Sequence, residues 1–416
     1  MRHTVFTLAA VSTIAIAAPA HAKAGDPVAI GGGFSLDPML NARLRYEAVD
    51  QPATDADAVT LRLRSGFELK HAPSHLSALA EAEATLGIVN DYNAFPFAIA
   101  DSQRRTGYSV VADPMNVELN RLQIQYKTRA VALTVGRQRI NLDDQRWVGS
   151  VGWRQNEQTF DAVRGEVNFG PVSLDGTYSI SQRTIFGTDA GPRMAYGGDF
   201  VFLGAGVKAG PVQVKGFAYL LDYDEAFFYA SSTQTYGLRA TTALPLGKGI
   251  KLSLAGSYAR QSNYGTNPFT YSADYIAADA GLAFGSVALT GGYEKLGADN
   301  GRAVQSPMAT LHKFNGWADV FLTTPQTPSY AGLQDYHGGL SWKAPKSLKA
   351  LPGLNAAVIW HSFDSDTGSV PYGTEWDASV GFRLGPVGLL AKYANYNARD
   401  FGADTKKFWL QAEIAY

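Results

Sequence analysis

Cysteine is absent from the 416 residues. That removes disulfide frameworks, zinc–thiolate sites and thiol nucleophiles together. An excess of charge of either sign is absent too. The 36 Lys and Arg stand against 37 Asp and Glu, for a formal net charge of −1, so no nucleic-acid partner is expected. No stretch of 18 consecutive apolar residues follows the N-terminal segment, which excludes transmembrane helices. Phosphate-binding glycine loops and dinucleotide fingerprints are missing as well, and no cofactor or metal is implied. The segment Asp364-Ser365-Asp366-Thr367-Gly368 has the look of a calcium loop, but its later ligands are missing and a surface turn is the better reading.

What is present begins with an export signal. Arg2 precedes an apolar run from Thr4 to Ala18, and Ala20-His21-Ala22 fits a small-residue cleavage site. Residues 1–22 therefore read as a signal peptide, with Lys23 the first mature residue. A short periplasmic segment, 23–38, leads into one domain over 39–416.

Throughout that domain the hydrophobic pattern has period two. In VTLRLRSGFELK, Val59, Leu61, Leu63, Phe67 and Leu69 share one face, while Thr60, Arg62, Arg64, Glu68 and Lys70 share the other, as in a β-strand. With a second example at the C-terminus, ending on Tyr416, the same alternation marks 18 candidate strands. The rest lie near 39–50, 76–88, 117–127, 130–140, 159–169, 172–183, 199–209, 211–222, 234–246, 250–261, 273–284, 286–297, 332–343, 354–363, 374–385 and 387–397. Tight turns such as Phe169-Gly170-Pro171-Val172, Phe284-Gly285-Ser286-Val287 and Leu384-Gly385-Pro386-Val387 alternate with longer polar loops near 89–116, 141–158, 184–198, 223–233, 262–272, 298–331 and 398–404. Short turns at one end and long loops at the other are the plan of a bacterial outer-membrane barrel. Aromatic residues at strand ends, among them Tyr46, Phe67, Tyr126, Trp342, Trp360 and Tyr393, would form its interfacial girdles. The rival, a secreted soluble β-structure such as a propeller, would need a repeat of 40–50 residues, and none is visible. The expected fold class is an all-β transmembrane antiparallel barrel of about 18 strands, multi-pass in the bacterial outer membrane and partnered by its lipid.

If the apolar positions face lipid, the opposite parity faces the lumen. That places Arg43 and Arg45 on the first strand, Arg62 and Arg64 on the second, Glu81 and Glu83 on the third, Arg121 on the fourth and Arg164 on the sixth in the interior. Two explanations compete. The arginines brace the wall against neighbouring carboxylates, or they form a track that favours anions, since guanidinium forks match carboxylates bidentately. The excess of arginine on the first, second and fourth strands leans toward the track.

The block LDDQRWVGSVGWRQNEQTFDAV, Leu142 to Val163, concentrates acids, arginines and tryptophans. With Val135-Gly136-Arg137-Gln138 before it, it resembles the signature region of the alginate-export family of outer-membrane porins. LRLRSGFEL on the second strand and Asn90-Asp91-Tyr92-Asn93 after the third extend the likeness. The resemblance implies an 18-stranded channel for an anionic polysaccharide, with periplasmic export proteins as possible partners. By position it implies passage-lining roles for Arg137, Arg154 and Asp161. Within the block, Asp143, Asp144, Arg146, Trp147, Trp153 and Glu157 are expected to build a constriction loop. There Asp143, Asp144 and Arg146 brace, while Arg154 and Arg164 face the passage. One parity conflict stands. Val131, Leu133 and Val135 face outward, which carries Arg137 and Arg139 outward too, at a cost unless they lie at the rim. Either they do, or a bulge at Gly136 turns Arg137 inward, and the bulge is the favoured reading.

Catalytic readings are weaker. The acids of the block would serve as a glycosidase pair only in apposed geometry. His71 and His75 fall in a turn, His312 in a loop, and His337 and His361 on strands without a serine signature, so a barrel hydrolase is not supported. No catalytic residue is assigned. The expected function is a passive, anion-favouring channel for an anionic polysaccharide such as alginate, or related sugar acids. A general or small-sugar uptake porin with structural arginines is the alternative, and a barrel enzyme acting on lipid or glycan a more distant one.

Overall fold

A computed structural model describes residues 26–416, so the signal peptide and its cleavage site lie outside the described residues. Eighteen antiparallel strands make up the wall. They are β1 Phe34–Asp50, β2 Asp55–His71, β3 Leu76–Asp91, β4 Asn116–Lys127, β5 Val131–Gln138, β6 Thr159–Phe169, β7 Val172–Arg183, β8 Ala195–Ala209 and β9 Val212–Tyr223. The second half comprises β10 Thr233–Gly247, β11 Ile250–Asn263, β12 Ser272–Phe284, β13 Val287–Leu296, β14 Leu333–Lys343, β15 Asn355–Asp364, β16 Pro371–Leu384, β17 Val387–Ala398 and β18 Thr405–Ala415. Each pairs with its neighbours in sequence, and β1 pairs with β18 from Asn41↔Ala415 to Asp50↔Lys406. The sheet is therefore closed, and no strand edge is left unpaired in the ring. No described helix is long and apolar enough to cross a membrane.

The alternation sorts as the pattern demands. Leu44, Leu63, Ile124, Leu133 and Leu289 are exposed on the outer surface, with Phe67, Tyr126, Tyr258, Trp342 and Trp360 also outside, while Arg43, Arg45, Arg62, Arg64, Glu81 and Glu83 are buried within. The Gly-Pro and Gly-Ser turns stand at the end that holds both termini of the barrel. One connection at that end, residues 344–354, is longer than its neighbours. A four-residue strand, Val28–Gly31, folds back on the start of β1, so the sheet begins eleven residues, and β1 itself five residues, before the expected boundary at 39.

The interior departs from expectation on one side. From β6 to β12 the inward face carries a buried aromatic cluster that includes Phe160, Phe200, Phe202, Phe217, Tyr219, Tyr223 and Tyr275. Phe200 and Phe202 alternate with outward Val201 and Leu203, so β8 is apolar on both faces. That is why the period-two signal is weak there. The partners that justify an apolar inner face are two loops folded into the lumen: loop 3, residues 139–158, and loop 7, residues 297–332. Leu142, Val148, Val304 and Met308 from these loops belong to the same cluster. Val148 and Met308 form a β-bridge between them.

Candidate functional site

Loop 3 crosses the lumen and is fixed at both ends. On one side, Arg43 Nη1 donates to the carbonyls of Gly152 and Trp153, each at 3.1 Å. Arg45 Nη2 donates to the Trp153 carbonyl at 2.5 Å, and its guanidinium lies 4.1 Å from the centre of the Trp153 ring. On the other side, Asp143 meets Lys215 of β9 at 3.1 Å, Asp144 meets Arg239 of β10 at 2.7 Å, and Arg146 meets Glu294 of β13 at 2.9 Å. Trp147 packs edge-on against Tyr275. All six constriction-loop residues are thus within a folded bridge rather than a free tip.

Two residues of this bridge carry its electrostatics. Glu157 accepts from Arg139 at 2.6 Å and from Asn120 at 3.0 Å, and pairs with Arg64 at 3.4 Å. Burial alone would raise its pKa, but Arg64 and Arg139 outweigh burial and hold the carboxyl down at about 2. Arg154 is buried, not facing an open passage as expected. Its Nη1 lies 3.0 Å from Glu47 of β1 and 3.7 Å from Asp113 of the loop between β3 and β4, and its Nη2 lies 2.9 Å from Asp319 of loop 7. It clamps four chain segments together. Burial opposes the charge, yet these carboxylates raise the guanidinium pKa above its ordinary value.

Loop 7 docks by its backbone. The amides of Trp317 and Ala318 donate to Asp377 (3.2 Å) and Glu375 (2.7 Å) of β16. Asn315 bridges Arg146, Glu294 and Asp335. His312 stacks on Trp153 with ring centres 4.5 Å apart. Its Nδ1 faces Asp319 at 2.7 Å while Nε2 faces the Lys392 ammonium at 2.8 Å. Burial pushes the imidazole pKa well below its usual range. A neutral ring then donates from Nδ1 to the carboxylate and accepts from lysine at Nε2.

The lumen wall is divided by charge. Strands β1, β2 and β4 carry the arginines, and most are paired: Arg43 with Glu413 at 3.1 Å, Arg62 with Glu413 at 3.0 Å, Arg64 with Glu83, and Arg121 with Glu81 at 2.8 Å. Arg62 Nε and Nη1 and Arg45 Nη1 are buried with no hydrogen-bond partner. Arg164 lies on the inner face of β6, between Glu166, Asp175 and Thr177. Across the lumen, β12 to β16 present Asp279, Glu294, Asp335, Glu375 and Asp377, and an open cavity lies between this acidic wall, Asp144 of loop 3 and Lys313–Trp317 of loop 7.

Arg137 and Asp161 do not line the passage. Arg137 pairs in register with Leu122 and Asp161, as Val135 does with Val163, so all of these share the outward face. Gly136 occupies the inward position, and the proposed turn of Arg137 does not occur. Its charge is met by Asp161, with Nε to Oδ1 at 2.8 Å and Nη2 to Oδ2 at 3.0 Å, one residue from the loop end of β5, where charge costs least. Arg139, past the strand end, is free of the alternation and reaches Glu157 inside. The sequence reading missed Asp113, Asp319 and His312, because a loop folding into a lumen leaves no periodic signal, and it missed Lys392 of β17, whose partners His312 and Trp153 come from those loops.

The comparisons follow this architecture. The model of the family described as alginate export matches residues 40–181, from within β1 to near the end of β7 and including the Leu142–Val163 block. Three solved barrels from Pseudomonas aeruginosa are similar over nearly the whole length. OpdK with vanillate has 14% identity and a TM-score of 0.69, covering 92% of this chain and 98% of its own. OpdL has 16% and 0.65 at 92% and 98%. OccK2 (OpdF) in complex with glucuronate has 13% and 0.66 at 91% and 98%. The chain has the fold of an outer-membrane porin. It is a multi-pass β-barrel of the outer membrane, and both likenesses are to channels, not to enzymes. A search of curated protein sequences finds no match.

Proposed function

We propose that this porin is a passive channel favouring carboxylate-bearing solutes, with sugar acids and short oligomers of them as its cargo. The observation that supports this reading most directly is the concentration of inward arginines on β1 and β2, where Arg43 and Arg62 share the one carboxylate of Glu413. A wall built only for bracing would match each guanidinium with a carboxylate of its own. Two guanidiniums served by one carboxylate leave net positive charge beside the lumen, which attracts a carboxylate solute. The two inward loops favour small units over a thick polymer strand. The vanillate and glucuronate that accompany the similar barrels are both carboxylates, in keeping with this class. Transit needs sites that bind well enough to admit an anion and too weakly to hold it. Shared carboxylates such as Glu413, which serves both Arg43 and Arg62, would keep each site weak.

The second reading, a general porin with structural arginines, is supported by the ion pairs of Arg64 and Arg121. Current block in a planar bilayer separates the two. Glucuronate should interrupt the open current at concentrations where glucose does not, and the Arg62→Gln variant should lose that difference. Equal effects of the two solutes on the unaltered channel would sink the anion reading.

A further inference from the structure

We propose that Asp335, His337 and His361 form a binding site for a first-row divalent metal ion such as Zn²⁺ on the lumen wall. The three side chains project inward from adjacent positions of β14 and β15, where His337 and His361 are direct partners in the ladder. One ligand atom from each lies within 4.8 Å of the others. Asp335 Oδ1 is 2.9 Å from His361 Nδ1 and 3.8 Å from His337 Nδ1. Tetrahedral Zn²⁺ with bonds of about 2.0–2.2 Å would set its donors about 3.3 Å apart, between these two separations. Two imidazoles and one carboxylate suit Zn²⁺, and the fourth position opens onto the cavity between the two loops.

The surroundings point the same way. His337 Nε2 faces Asp279 Oδ1 at 3.0 Å, and its other nitrogen, Nδ1, is buried with no hydrogen-bond partner. A carboxylate holding the Nε2 proton leaves the Nδ1 lone pair, 3.8 Å from Asp335 Oδ1, free for a metal, the usual means of orienting a metal-bound histidine. At His361 the corresponding nitrogen, Nε2, lies 3.7 Å from Asp377 Oδ2, near this carboxylate but beyond hydrogen-bond distance. On metal binding its proton moves from Nδ1, where it bridges to Asp335, to Nε2 on the Asp377 side. The contact between His337 and Asp279 exists because residue 292, between them on β13, is glycine. A Cβ there would stand 2.3 Å from His337 Nε2 and 2.4 Å from Asp279 Oδ1. This site is independent of the sugar-acid reading, which concerns the opposite wall.

The experiment is calorimetric titration of the refolded, detergent-solubilised barrel with Zn²⁺. Variants His337→Ala, His361→Ala and Asp279→Asn are compared with His71→Ala/His75→Ala, which removes two imidazoles at the β2–β3 connection, away from the lumen wall site. One equivalent should bind to the unaltered protein and to the turn variant. Binding should vanish on loss of either wall histidine and weaken about 10- to 100-fold in Asp279→Asn. With Co²⁺ as probe, the visible spectrum should show nitrogen ligation that His337→Ala abolishes, while heat-modifiable migration confirms that the variant is folded. Absence of stoichiometric binding, or binding lost in the turn variant instead, overturns the proposal.

Discussion

At the scale of single residues, the lumen is governed by charges that must be met. Arg154 meets Glu47, Asp113 and Asp319 at once, so its removal leaves three buried carboxylates facing one another. Breaking a buried ionic cluster in this way costs about 3–5 kcal/mol. Arg154→Gln should lower the thermal midpoint of the folded barrel, and the loss should exceed that of Arg164→Gln, whose partners are more exposed. Equal losses would show that the clamp is not special. Glu157 sets a pH window. Its pKa falls from an ordinary 4.5 to about 2 in the folded protein, so its stabilising contribution is complete above about pH 5 and is lost as pH falls toward 2. Open-channel noise should therefore be the same at pH 7 and pH 5 and should rise below pH 4. Noise that rises already between pH 7 and 5 would assign the anchoring of loop 3 to another group. Residue identity was legible in the sequence where parity held, as for Arg43, Arg62 and Glu83. It failed at Arg137, where the pull toward an inward arginine was weaker than the register of a strand whose outward end can pair the charge with Asp161.

The elements show the same division. The strands were legible because turn signals bound them and because, outside the doubly apolar β8, they keep a period of two set by lipid on one side and polar interior on the other. The inward course of loops 3 and 7 was not, since their partners lie on strands distant in sequence. Only the doubly apolar β8 hinted at them, through Phe200 and Phe202. Loop 7 turns at Gly316, whose φ of +84° lies in the left-handed region and where a Cβ would stand 2.4 Å from the Glu375 carboxylate. Gly316→Ala should cost about 1–3 kcal/mol, loosen the docking of Trp317 and Ala318, and raise the frequency of conductance substates. An unchanged single-channel record would mean that loop 7 is held by its other contacts. Deleting 143–153 removes the bridge across the lumen and should raise unit conductance. An unaltered conductance would contradict the assignment of loop 3 as the constriction.

For the whole molecule, closure of the sheet between β1 and β18 leaves the interior as the place where specificity resides, and that interior is polar and asymmetric. Arginines on β1, β2 and β4 oppose carboxylates on β12 to β16, with the two loops between. On the proposed anion-favouring reading, a permeating anion would pass along the basic wall while the opposite wall repels it, so the field across the lumen would direct it to one path. The overall net charge of −1 conceals this arrangement, and only the assignment of each residue to a strand and a face brings it out. Reversal potential in a planar bilayer under a salt gradient reads the outcome directly. The account predicts an anion-favouring potential for the unaltered channel that moves toward zero in Arg43→Gln/Arg62→Gln, and a cation-favouring potential in the unaltered channel would contradict it.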